Sequence, residues 1–152
     1  MDEFLIYTDG AYSRKNNEGA FAYIILDANG VVVKQAAHKI VNETNNRAEL
    51  KAIIAAIYNL PNKGQKVKAH VISDSQYALN TLFAGWSRNT NHDLFDAFER
   101  IILERDLDIE WSWVKGHSGD FYNELCDDLC CKALGYDPSA EYARHKKNKN
   151  LF

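Results

Sequence analysis

Three apolar runs open this chain, and their spacing limits what it can fold into. Phe4 to Thr8 is short and almost continuously apolar, as in a central strand. Ala20 to Asp27 and Val31 to Val41 read as two more strands, and Asp27-Ala28-Asn29-Gly30 between them carries the Asn-Gly signal of a hairpin turn. Arg47 to Leu60 then shows helical spacing and stops at Pro61. Val67 to Ser73 is a fourth strand, followed by a short helix over Gln76 to Phe83. Helical periodicity returns from Asp93 to Arg105 through Leu94, Phe95, Phe98, Ile101 and Ile102. Ile109, Trp111 and Trp113 alternate with Glu110 and Ser112, which predicts a fifth strand with one face buried. Asp120 to Leu134 is the last helix, with Gly135 as its C-cap. Antiparallel strands first and helical crossovers afterwards predict an α/β fold, a mixed sheet with helices packed on it.

At 152 residues the chain is long enough to bury one substantial core. The expected organisation is one domain over 1–135 and a polar, basic tail over 136–152. No apolar run approaches membrane-spanning length and Met1-Asp2-Glu3-Phe4 lacks a signal-peptide layout, so a cytoplasmic address is expected. The cysteines, Cys126, Cys130 and Cys131, are odd in number and clustered, a poor disulfide framework. Cys126 and Cys130 could bind zinc with His117, but small apolar residues on a helix face is the better reading. Net charge is −3, which argues against a general nucleic-acid binder. The charge is uneven: the tail has four basic residues (Arg144, Lys146, Lys147, Lys149) against two acids, and the body 14 basic against 19 acidic. A solvated terminus and a phosphate-contacting segment are both open readings of that tail.

Several acids sit where the local pattern gives them no structural reason to be. Asp9 directly follows the first apolar strand; it reads either as an Asp-Gly turn or as a strand-end carboxylate placed for ligand chemistry. Glu49 shares a helix face with Ile53, Ala56 and Leu60, where an unpaired acid is costly, although Asn46-Arg47-Ala48-Glu49 also has the spacing of a capping box. Asp74 ends the fourth strand and could simply cap the helix that follows. Asp127 points away from an apolar side drawn through Tyr122, Leu125, Leu129 and Ala133, so a solvated acidic face is its plainer reading. Carboxylates drawn from strand and helix ends can nevertheless converge on hard divalent cations, which take oxygen ligands and catalyse phosphoryl transfer.

Five segments together resemble the type 1 ribonuclease H family, from about Phe4 to Leu134. They are Thr8-Asp9-Gly10, Thr44-Asn45-Asn46-Arg47-Ala48-Glu49-Leu50, Ser73-Asp74-Ser75-Gln76-Tyr77, Trp111 to Gly119 around Lys115-Gly116-His117, and Asn123-Glu124-Leu125-Cys126-Asp127. The resemblance implies a ribonuclease H-like fold, a five-stranded mixed sheet with three antiparallel strands then two parallel ones, flanked by helices. It implies an endoribonuclease that hydrolyses the RNA strand of RNA/DNA hybrids with two Mg²⁺, Mn²⁺ being a substitute, and leaves 5′-phosphate and 3′-hydroxyl ends. On that pattern Asp9 bridges both metals, Asp127 helps hold the ion that activates water, and Glu49 and Asp74 help hold the ion at the departing 3′-oxygen. His117 matches the family's mobile histidine, which assists proton transfer or product release.

Asn46 and Gln76 match positions that touch the RNA strand, and Thr44 one that binds a DNA-strand phosphate. Two departures stand out. Ser13 to Ala20 replaces the family's glycine- and proline-rich loop, and Gly85 to His92 replaces the basic protrusion of many bacterial members. The expected protein is a monomeric, metal-dependent ribonuclease H of the kind lacking that protrusion. A catalytically silent hybrid-binding module and a DNA nuclease or integrase of the same broad fold are the rival readings.

Overall fold

The computed structural model of the chain describes residues 1–116 and 118–135. His117 and the predicted tail over 136–152 lie outside the described residues.

Among the described residues, five strands and four helices follow in the expected order: β1 (Asp2–Ser13), β2 (Glu18–Asp27), β3 (Val32–Val41), α1 (Asn45–Tyr58), β4 (Val67–Ser73), α2 (Gln76–Phe83), α3 (His92–Glu104), β5 (Leu107–Trp113) and α4 (Phe121–Ala133). The strands form one mixed sheet in the order β3-β2-β1-β4-β5. β1, β2 and β3 are antiparallel neighbours, while β4 runs parallel to both β1 and β5. The β2–β3 turn closes with the Gly30 N–H donating to the Asp27 carbonyl at 3.0 Å.

Period-two alternation divides the sheet's side chains between two cores. Phe4 and Ile6 of β1 and Val67, Ala69 and Val71 of β4 pack with Leu50, Ile53 and Ile57 of α1, Leu79 of α2 and Phe98 of α3. Tyr7, Ala20, Ala22, Ile24 and Leu26 pack on the opposite face against Cys126 and Cys130 of α4. Both faces of β1 are therefore covered, which accounts for its unbroken apolar run.

Two expectations from the pattern are corrected. β5 is the sheet's edge strand, and Trp111 and Trp113 are 42% and 50% exposed rather than buried on one face. One ring face of Trp111 is covered by stacking on Phe83, with centroids 5.5 Å apart. In α4, the side chains seated deepest on the sheet are Asn123, Cys126 and Cys130, while Tyr122, Leu125 and Leu129 flank them. Small thiols let the helix lie close to β1; the larger residues are displaced to its sides.

β1 also runs well past Thr8. Its pairing with β2 continues through Asp9↔Ala22 and Gly10↔Phe21 to Ser13↔Glu18, whereas its parallel pairing with β4 ends at Tyr7↔Ile72. Beyond that register the two strands separate, and the crevice opened at the C-terminal end of β4 is where open α/β sheets place ligands.

Candidate active site

Asp9 on β1 and Asp74 just beyond β4 flank the point where their strands part, and Glu49 reaches it from the first turns of α1. One ligand oxygen from each of the three carboxylates lies within 4.8 Å of the other two. Asp9 and Glu49 are only 8% and 9% exposed, and Asp74 is half-buried.

The competing local readings of these acids do not hold. α1 is capped by Thr44, whose Oγ1 accepts the Arg47 N–H at 3.1 Å, so Glu49 takes no part in a capping box. Its Oε1 instead accepts the Gly10 N–H at 2.6 Å, and Oε2 is buried with no hydrogen-bond donor. α2 is capped by Ser75, whose Oγ accepts the Ala78 N–H, and not by Asp74. Asp9 stands in a continuous strand rather than a turn, with its Oδ1 3.0 Å from the Gly10 N–H. One backbone N–H thus serves two carboxylates.

Such a cluster resists full ionisation. Burial raises the Asp9 carboxyl well above the usual range, and the charges of Asp74 and Asp127 raise it further. Glu49 is raised in the same way, by burial first and then by Asp9 and Asp74. Asp127 is half-buried on α4, and its charge reaches Asp9 because the helix is turned so that neighbouring Cys126 and Cys130 face β1. The solvated face expected for Asp127 is therefore only half right. The two thiols donate to the Tyr7 and Asp9 carbonyls at 3.5 and 3.8 Å. Burial pushes both thiol pKa values up, in keeping with small neutral groups in the core.

Glycine permits the close approach of α1. A Cβ on Gly10 would stand 2.6 Å from the Ala48 carbonyl carbon and 2.7 Å from the Glu49 nitrogen. The same end of α1 is tied to α3 by Arg47, whose guanidinium pairs with Asp93 at 2.8 Å and whose Nε pairs with Glu43 at 2.5 Å. Asn91, ahead of α3, accepts from Arg47 and donates to the Tyr77 hydroxyl beside Gln76. The residues proposed to touch nucleic acid, Thr44, Asn46 and Gln76, thus sit on elements held together by one polar network. Arg88, the fixed cation of the segment replacing the protrusion, is already engaged with Glu99 and the Thr81 carbonyl, over the Phe95 ring. The sequence pattern did not single out Gly10, Arg47 or Arg88 for these roles; Gly10 read as part of an Asp-Gly turn, because the strand was expected to end at Thr8.

A family model described as RNase H matches residues 1–134. The chain belongs to the RNase H family. A ribonuclease H from Syntrophomonas wolfei subsp. wolfei is 34% identical over 148 residues, covering 88% of this chain and 97% of that protein. One from Actinobacillus pleuropneumoniae serotype 5b is 35% identical over 149 residues, covering 90% and 92%. Among solved structures, the N-terminal RNase H domain of a Mycobacterium tuberculosis protein, studied as a fusion with maltose binding protein, superposes with a TM-score of 0.72. It is 20% identical and matches 94% of this chain and 99% of that one, a likeness of fold. As an RNase H the chain is a nuclease. No helix among the described residues is long and apolar enough to cross a membrane.

The acidic triad fits a metal ion. Its donors are all carboxylate oxygens, the set preferred by hard divalent cations over softer ones. The buried Glu49 Oε2 without a donor, among mutually repelling acids, is a ligand atom that a cation would satisfy.

Proposed function

We propose that this RNase H hydrolyses the RNA strand of RNA/DNA hybrids by a two-metal-ion mechanism, leaving 5′-phosphate and 3′-hydroxyl ends. The observation that carries the reading is the convergence of Asp9, Glu49 and Asp74, two of them buried, on one crevice. Asp9, Glu49, Asp74 and Asp127 are the residues that would hold two Mg²⁺, with Mn²⁺ as a substitute. Bound divalent cations supply Lewis-acid stabilisation of the attacking and departing oxygens of an in-line displacement.

The chain's own groups do the rest. The Gly10 N–H fixes the orientation of the Asp9 and Glu49 carboxylates by donating to both. The Asn46 and Gln76 amides recognise 2′-hydroxyls of the RNA strand, and Thr44 takes a phosphate of the DNA strand. None of these contacts reads base identity, so sequence preference is weak. His117 assists proton transfer or product release. The enzyme acts as a monomer in the cytoplasm.

Incubation of the purified chain with end-labelled hybrid, duplex DNA and duplex RNA, each with Mg²⁺, Mn²⁺ or chelator, tests this directly. Cleavage of the hybrid's RNA strand alone, dependent on metal and leaving 3′-hydroxyl ends that a polymerase extends, is the expected result. Binding of the hybrid without cleavage under every metal condition would overturn it.

A further inference from the structure

Asp74 is the least buried member of the triad, and its backbone is held from a strand distant in sequence. The Trp113 indole N–H, at the end of β5, donates to the Asp74 carbonyl at 3.0 Å. The next residue along, Val114, donates its backbone N–H to the Ser73 carbonyl at 3.0 Å. The chain leaving β5 is thereby laid against the Ser73–Asp74 peptide, and two residues later Gly116 passes the Asp74 side chain. A Cβ built on Gly116 would stand 2.7 Å from Asp74 Oδ2, 3.5 Å from its Cγ and 3.6 Å from its Cβ. Heavy atoms do not approach to 2.7 Å without a hydrogen bond, so one of the two must give way. The first to move is the carboxylate, the far end of a rotatable side chain. The backbone beside Gly116 is held through the Val114 and Trp113 contacts. Gly116 has no positive φ that would demand glycine, so the close approach is the reason for its small size.

We propose that Gly116 is a positioning residue for Asp74: its missing side chain sets where the Asp74 carboxylate stands relative to Asp9 and Glu49, and Trp113 fixes the distance from which it does so. The loop leaving β5 thus sets the cation affinity of the site through Gly116. This rests on the metal-binding reading above. It also explains a half-exposed tryptophan on an edge strand, since the indole N–H is committed to the peptide that carries Asp74.

The test reads metal binding without catalysis. The whole chain is titrated with Mn²⁺ by calorimetry and by the rise in Tm, for the parent, Gly116→Ala, Trp113→Phe, Asp74→Asn and the Gly116→Ala/Asp74→Asn pair. Gly116→Ala should weaken Mn²⁺ binding about ten-fold or more, the scale on which groups that orient metal ligands act. Its Tm without metal should stay close to the parent's. Trp113→Phe, which keeps an aromatic ring but removes the N–H donor together with part of the indole, should weaken binding in the same direction by a smaller factor. In the Asp74→Asn background Gly116→Ala should add little, because both changes act through one side chain.

Equal weakening by Gly116→Ala in both backgrounds, or unchanged Mn²⁺ affinity in a folded Gly116→Ala variant, would overturn the positioning role and leave the metal site standing. A parent chain that binds no Mn²⁺ would overturn the metal site and this inference together. If Gly116→Ala does not fold, Trp113→Phe with undiminished Mn²⁺ affinity overturns the inference.

Discussion

The triad's chemistry turns on three carboxylates forced together at low exposure. A carboxyl whose pKa is raised on folding binds more protons in the folded chain than in the unfolded one, so stability falls as pH rises through the folded value. Asp9 and Glu49 both have that sign. Without metal, the chain should lose stability from the ordinary carboxylate range upward through the raised pKa values, and Mg²⁺ should restore it at neutral pH. Asp9→Asn, Glu49→Gln and Asp74→Asn should each raise or leave unchanged the metal-free Tm at pH 7, flatten its pH dependence, and abolish most Mg²⁺-dependent cleavage. Thermal melts across pH, with and without Mg²⁺, check the first two. A large loss of metal-free Tm in all three variants would show that the acids stabilise the fold instead. The assignment on α4 is checked by Asp127→Asn, expected inactive, beside Asp128→Asn, expected active. For His117→Ala the expected outcome is a fall in kcat of roughly ten- to a thousand-fold with nearly unchanged metal dependence; lost metal binding would contradict a role in proton transfer.

At the scale of elements, the site exists because α1 starts against the exposed backbone of β1. Gly10 is the point of contact, and everything it would strike on gaining a Cβ is backbone: the Ala48 carbonyl and the Glu49 nitrogen. No rotamer change relieves such a clash. Gly10→Ala should therefore destabilise the chain by about 3 kcal/mol, the upper part of the range for overpacking, and should break the Gly10–Glu49 hydrogen bond as the helix moves away. Urea unfolding measures the first effect; a parent-like midpoint would show that α1 is free to shift. Element boundaries were legible wherever a breaker or change of period stood in the sequence, as at Val67–Ser73 and Gln76–Phe83, both found as expected. They were not legible for β1, because its continuation past Thr8 is stabilised by pairing with β2, and the residues of β1 beyond Thr8 carry no apolar pattern of their own. Nor was the edge position of β5, since alternation reports the pleat and not what covers it.

For the molecule as a whole, the charge distribution decides how a nucleic acid is held. Net charge is −3, and the basic residues of the C-terminal segment set it apart from an acidic body. The segment replacing the basic protrusion gives little compensation, because Arg88 is engaged with Glu99 and α2 carbonyls. If Arg144, Lys146, Lys147 and Lys149 hold phosphates, deleting residues 137–152 should weaken hybrid binding at low salt. It should also reduce the slope of log affinity against log salt by about 0.7–0.9 for each phosphate no longer neutralised, with kcat at saturating substrate preserved. Filter binding and kinetics over a salt series measure both quantities, and an unchanged slope would leave the body's polar groups to hold the substrate.

The sequence alone determined the order of elements, the mixed sheet and the identity of three converging acids. Each was written locally, in hydrophobic period, in turn residues, or in short motifs that resemble one family. Which local reading of an acid was correct could not be decided there. Asn46 and Glu49 have the spacing of a capping box whether or not Thr44 takes the cap, and Asp74 stands where a helix cap would stand. Only the folded chain settled these, by placing the Gly10 N–H 2.6 Å from Glu49 and Ser75 at the head of α2. The rotation of α4 was likewise a tertiary decision. Its deepest residues are two small thiols that a hydrophobic wheel ranks below leucine, yet they allow the closest approach to β1 and turn Asp127 toward Asp9. Periodicity records which residues share a face. Which face meets which partner depends on shape and distance between segments far apart in the chain, and that information is first present when they pack.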